Sequence, residues 1–140
     1  MLQTWHPLCH SYLTYDRKMK QRRIFVIEDD DIVRDTIELL LMYKGFKVLT
    51  SSNGFDALRI IEEFKPDVIL TDIFLGESDG RVICQLVKSN PATTHIPIII
   101  MSGAANEIYN TISGVGANDI VLKPFDENTL ISRVERQLSA

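Results

Sequence analysis

A chain of 140 residues with 45% hydrophobic and 24% charged content is one domain's worth of sequence, with enough apolar mass for a core that needs no staples. A net charge of −4 supplies no basic field for nucleic acid, the two cysteines (Cys9 and Cys84) make no disulfide framework, and no apolar run is long enough for membrane insertion. Reduced thiols without a secretory leader point to the cytoplasm.

Residues 1–18 show neither a period of two nor one of 3.6, so residues 1–19 are expected to be an extension, either disordered or a mis-assigned start ahead of Met19, with residues 20–140 as the folded domain. His6, Cys9 and His10 have no fourth ligand at a zinc-like spacing and are set aside. The run Ile24-Phe-Val-Ile27 reads as the first strand, and Asp30 or Asp31 can cap the helix that follows to Lys44. Its inner stripe is Val33, Ile37, Leu40 and Leu41, and Gly45 ends it. Residues 46–49 form a second strand. Ser52-Asn53-Gly54 turns into a helix over 55–64 with Ala57, Leu58 and Ile61 inward, and Pro66 stops it.

The stretch that organises the chain comes next. Val68 to Leu70 is a short buried strand whose end carries Asp72, followed by Gly76 and an Asp79-Gly80 turn signal. Residues 80–89 form a helix carrying Val82, Ile83, Leu86 and Val87, with Cys84 packed as a small hydrophobe, and Asn90-Pro91 breaks it. Residues 97–101 are a fourth strand. Asn106 caps a short helix to Ser113, residues 114–119 form a loop, residues 120–122 are a fifth strand, and a helix over 127–138 turns Leu130, Ile131, Val134 and Leu138 to one face. Five alternations of strand and helix predict an α/β fold, a parallel sheet with helices on both faces. In such a sheet ligands bind beyond the carboxyl ends of the strands.

Chemistry gathers at those ends. Glu28-Asp29-Asp30-Asp31 follows the first strand, Asp72 ends the third, Ser102-Gly103 follows the fourth, and Lys123-Pro124-Phe125 follows the fifth. This set, in this order, resembles the receiver domain of bacterial two-component response regulators over roughly residues 20–138. The resemblance implies a doubly wound five-stranded parallel sheet of order 2-1-3-4-5. It implies Asp72 as phosphoacceptor, a carboxylate able to attack phosphorus. Mg2+ is the implied cofactor, a hard cation that takes oxygen ligands: Asp29 and Asp72 directly, the backbone carbonyl of Phe74, and Glu28 through a water. Ser102 and Lys123 would contact the phosphoryl oxygens, Lys123 aimed by a cis bond to Pro124. The implied partners are a sensor histidine kinase or a histidine phosphotransfer protein and a downstream protein target.

The sequence departs from the family pattern at three places. Gly76 stands for the usual proline, the segment from Ser102 to Lys123 is about one residue short, and Ile120 stands at the switch position where Tyr or Phe is usual. Phe74 and Ala104, beside Asp72 and Ser102, cannot orient an attacking water, so a long-lived phosphoryl group is expected.

Four readings compete. A stand-alone receiver, not an enzyme beyond its own phosphorylation and dephosphorylation, fits a chain that stops after the fifth helix. A haloacid-dehalogenase-type hydrolase needs an Asp where Phe74 stands. A flavodoxin-like cofactor binder needs a phosphate loop where four acids stand. A phosphorylation-independent docking module with the receiver fold needs none of the acid, hydroxyl and lysine set that is present.

Overall fold

The computed structural model describes residues 21–103 and 114–139. The expected extension, the helix after Asn106 and Ala104 lie outside the described residues. The described elements are β1 (Arg23–Ile27), α1 (Asp31–Tyr43), β2 (Lys47–Ser51), α2 (Ala57–Phe64), β3 (Val68–Asp72), β4 (Phe74–Leu75), β5 (Ser78–Asp79), α3 (Gly80–Ser89), β6 (Ile98–Ser102), β7 (Asp119–Leu122) and α4 (Glu127–Ser139). Five strands form a parallel sheet in the order β2-β1-β3-β6-β7, which is 2-1-3-4-5 when the small hairpin β4–β5 is left out of the count. The fold class and strand order are those the sequence implied.

The sheet divides the core in two because successive side chains on a strand point to opposite faces. Phe25, Ile27, Ile69, Ile98 and Ile100 pack against α2 and α3 on one face. Ile24, Val26, Val68, Leu70, Ile99 and Met101 pack against α1 and α4 on the other. All four residues from Ile24 to Ile27 are fully buried. At about 1.5–3 kcal/mol for each large apolar side chain, against about 0–1 for an exposed ion pair, burial sets the register of β1. Register in turn decides that Glu28 emerges at the carboxyl end of the sheet.

Local rules hold at the helix ends. Asp30, the first of the two expected candidates, caps α1: its Oδ1 accepts from the N–H groups of Ile32 at 2.9 Å and Val33 at 3.0 Å. Asp31 stays in the first turn and pairs with Arg34 at 2.6 Å. Gly45 turns the chain after α1 with φ +96°, a conformation that favours glycine.

The helix faces required corrections. Phe55 was expected inside the second helix, but α2 starts at Ala57 and Phe55 is exposed. Leu58 was expected inward and is exposed as well, because the buried stripe runs through Ala57, Ile60, Ile61 and Phe64, at offsets of three, four and seven. In α3 the same offsets bury Gly80, Ile83, Cys84 and Val87 and leave Val82 and Leu86 exposed. Gly114 and Val115 are helical rather than loop. Cys84 donates its S–H to the carbonyl of Val115 at 3.2 Å, and burial pushes the thiol up to about 11, so it packs as the small hydrophobe expected. Among the described residues no helix is long and apolar enough to cross a membrane.

Candidate functional site: an acidic cleft bridged by one lysine

The site is assembled at the ends of four strands, β1, β3, β6 and β7, which are not all consecutive in the chain. β1 lies between β2 and β3, and β3 pairs with β6, so Glu28 and Asp29 after β1, Asp72 at the end of β3 and Ser102 at the end of β6 share one edge of the sheet. Lys123 follows β7, and its backbone N–H donates to the carbonyl of Ser102 at 2.7 Å. The Lys123–Pro124 bond is cis, as the resemblance implied.

Lys123 closes the cluster. Its Nζ donates to Glu28 Oε1 at 2.6 Å and to Asp72 Oδ2 at 2.8 Å. Glu28 is almost wholly buried, its side chain 1% exposed. Its second oxygen, Oε2, accepts from the N–H of Asp30 at 3.1 Å. The backbone at this corner is tied down too: Glu28 N–H donates to Ser51 at 3.0 Å, and Arg34 donates to the Glu28 carbonyl at 3.0 Å. The other oxygen of Asp72, Oδ1, accepts from the N–H of Ile73 at 2.8 Å. Burial raises the Glu28 carboxyl above its ordinary value, although the hydrogen bond from Lys123 and that from the Asp30 amide pull it down. Burial also works against the charge of Lys123, but its hydrogen bonds to Asp72 and Glu28 outweigh this and raise its pKa.

Oxygen atoms of Glu28, Asp29 and Asp72 all lie within 4.8 Å of one another. Three carboxylates against one ammonium leave an excess of negative charge, in a pocket whose donors are all hard oxygens. That donor set fits a small divalent cation such as Mg2+ and does not fit a soft metal.

The remaining sequence-predicted residues are placed as follows. Ser102 is buried at the end of β6. Ile120 is 8% exposed and belongs to the core on the α2 and α3 side. Phe74 forms β4, opposite Asp79 in the hairpin, with its side chain 57% exposed. The hairpin itself was read from sequence only as a loop with a turn, because strands of two residues carry no periodic signal.

Gly80 is the residue that sequence reasoning undervalued. Read both as half of a turn and as the start of the helix over 80–89, it is the first residue of α3 as expected, and it packs on the backbone of Asp72. A Cβ there would overlap the carbonyl oxygen of Asp72 and lie 2.8 Å from Thr71 Oγ1. Only its place in the Asp79-Gly80 pair hinted at this. Gly80→Ala is expected to destabilise the protein by about 1–3 kcal/mol, the usual range for overpacking, despite the gain in helix propensity. Chemical denaturation checks this, and a variant as stable as the parent would contradict the contact.

The response regulator receiver domain family matches residues 24–135. The transcriptional regulatory protein AfsQ1 of Streptomyces coelicolor is 34% identical over 117 residues, 82% of this chain and 50% of that protein. The chain therefore spans about half the length of that relative. Among solved structures, the signal receiver domain of a signal transduction histidine kinase from Syntrophus aciditrophicus is 28% identical with a TM-score of 0.77, over 84% of this chain and 90% of that one. The receiver domain of the sensor histidine kinase PA1611 from Pseudomonas aeruginosa, with a magnesium ion coordinated in its active site cleft, is 25% identical with a TM-score of 0.78, over 86% of this chain and 99% of that one. A family match across most of the chain, on a sheet of the implied order with the acids, hydroxyl and lysine gathered at one edge, makes this chain a member of the response regulator receiver domain family.

Proposed function

We propose that this protein accepts a phosphoryl group on Asp72 from a phosphohistidine, carried by a sensor histidine kinase or a histidine phosphotransfer protein, and signals through protein contacts that depend on it. The observation that carries the reading is Lys123 bridging Glu28 and Asp72 across separate strands. In the transfer the phosphorus–nitrogen bond to histidine breaks, the imidazole keeps the electron pair, and a bond forms from an Asp72 carboxylate oxygen to phosphorus. Lys123 is already on Asp72 and can follow the charge onto the phosphoryl oxygens. Ser102 supplies a hydroxyl donor to the same oxygens. Ile120 has no polar tip, so a switch at this position works by packing alone.

Mg2+ would be held by Asp29, Asp72 and the carbonyl of Phe74, with Glu28 reached through a water. When bound, it neutralises charge on the transferring group. The magnesium ion in the Pseudomonas relative supports this choice. The chain is read as a signalling protein rather than an enzyme, working in the cytoplasm where such kinases present their phosphohistidine. The decisive test is Mg2+-dependent uptake of one hydroxylamine-sensitive phosphoryl group from acetyl phosphate. No uptake would leave the phosphorylation-independent docking module.

The division of labour among the acids is testable separately. Asp29→Ala is expected to weaken Mg2+ binding by more than about tenfold, since even outer-shell partners of a metal are worth about 10–100-fold. Asp31→Ala should leave it nearly unchanged, because Asp31 pairs with Arg34 on the first turn of α1. Isothermal titration of both variants checks the split, and equal losses would contradict it.

A further inference from the structure

Charge is spread unevenly over this molecule. The carboxyl end of the sheet holds the acids of the site, whereas the amino end, where the chain enters each strand, is cationic. Arg22 precedes β1, Lys44 follows α1, Lys47 opens β2 and Lys65 follows α2, and all four are exposed. Backbone contacts hold these entries together. Lys47 N–H donates to the carbonyl of Arg22 at 2.9 Å, and Gln21 Nε2 donates to that of Gly45 at 3.1 Å. Arg23 Nη1 donates at 2.8 Å to the carbonyl of Phe64, the residue before Lys65. Among the described residues none of the four cations pairs with a carboxylate. Asp67, an acid at the same end, instead accepts from the backbone N–H of Arg23 at 2.8 Å. Two large apolar side chains adjoin the cations: Met42 and Tyr43, the last residues of α1, are 54% and 83% exposed.

Cations that follow helix C-termini complement the helix dipole, which accounts for Lys44 and Lys65. It accounts for neither Arg22 nor Lys47, which stand at strand starts, nor for an exposed methionine and tyrosine beside unpaired cations. In sequence, Arg17, Lys18 and Lys20 lead up to Arg22.

We propose that the amino end of the sheet is a docking surface for an anionic lipid bilayer, with Arg22, Lys44, Lys47 and Lys65 meeting the headgroup charge and Met42 and Tyr43 entering the headgroup layer. Each cation brought close to such a surface raises affinity by about fivefold. Charge alone would suit any polyanion. Met42 and Tyr43 decide for the bilayer, because the headgroup layer covers a thioether and the body of the ring while the phenol stays wet. The same charge distribution sets the orientation. Anionic headgroups repel the end that carries Glu28, Asp29 and Asp72, so the acidic cleft faces away from the bilayer and stays open. The inference does not rest on the phosphoacceptor reading of Asp72.

The test is cosedimentation of the full chain, unphosphorylated and without Mg2+, with vesicles of phosphatidylcholine alone or with about 30% phosphatidylglycerol. The parent is expected to bind the anionic vesicles, to ignore the neutral ones, and to let go as salt rises from about 0.1 to about 1 M. Neutralising Lys44 and Lys47 together, Lys44→Gln with Lys47→Gln, should lower the partition coefficient by at least about tenfold. Tyr43→Ser should lower it by about four- to tenfold, the worth of a half-covered large apolar side chain, without changing the salt dependence. Arg59→Gln removes a cation that pairs with Glu63 on α2 and should change nothing. Thermal melts check that each variant folds, and Arg22→Gln with Lys65→Gln carries the same expectation should the first pair fail to. No binding of the parent to anionic vesicles, equal binding to neutral ones, or full binding by the neutralised variants would overturn the proposal. So would an equal loss in Arg59→Gln. Binding to duplex DNA or polyglutamate as tight as to the anionic vesicles would assign the patch to another polyanion and overturn it too. Phosphoryl uptake is measured separately, and its failure would sink the phosphoacceptor reading without touching this one.

Discussion

Asp72→Asn is expected to reduce phosphoryl uptake to background. The substitution keeps the shape of the side chain and its acceptor for the Ile73 N–H, so the fold should stand. What it removes is the nucleophile, since a neutral carboxamide does not attack phosphorus as a carboxylate does. It also strips one of three acids from the cluster and leaves Lys123 with Glu28 as its remaining partner there. The readout is hydroxylamine-sensitive label after treatment with acetyl phosphate and Mg2+. Stoichiometric label on Asp72→Asn would move the acceptor elsewhere, with Asp29 the first alternative to check.

Lys123→Met is expected to cost about 2–4 kcal/mol in the metal-free protein, toward the lower side of what breaking a buried ion pair usually costs. The reason is Glu28, nearly inaccessible to solvent and left with the Asp30 amide in place of a cation. The cost should depend on pH in a defined direction. Burial already holds the Glu28 carboxyl above its ordinary value of 4.5, and losing the Lys123 hydrogen bond lifts it further. An acid whose folded-state pKa is raised stabilises the fold below its unfolded pKa and gives that up as pH rises through the folded value. The deficit of Lys123→Met relative to the parent should therefore be smallest near pH 4.5 and grow toward neutrality. Urea denaturation across that range checks this, and a deficit independent of pH would show that the Lys123 pair with Glu28 is not what the variant breaks.

The strands were legible because short apolar runs bounded by breakers carry their own signal, and β1, β3 and β6 are such runs. Helix faces were less legible. Leu58 read as core because it is apolar, and Val82 and Leu86 stood among the apolar residues of their helix, yet the angular positions of all three turn them away from the stripes through Ala57 and Ile61 and through Ile83 and Val87. The hairpin β4–β5 left no trace in the pattern because its pairing is between residues too few to show a period.

By itself, the sequence determined which residue types stand at the ends of the strands: Glu28 and Asp29, Asp72, Ser102, Lys123. Their identity and order carried the family. Only the tertiary structure decided how they meet. Parallel pairing of β1 with β3 and β3 with β6 brings together groups far apart in the chain, and Lys123 reaches back to Glu28 at 2.6 Å across a separation of 95 residues. The same packing decided that Glu28 is buried, that Gly80 admits no side chain against Asp72, and that Arg81 lies over Phe74. Local composition fixes which groups a strand delivers to its end. The distances between those groups come from non-local burial, which sets the register of each strand against its neighbours.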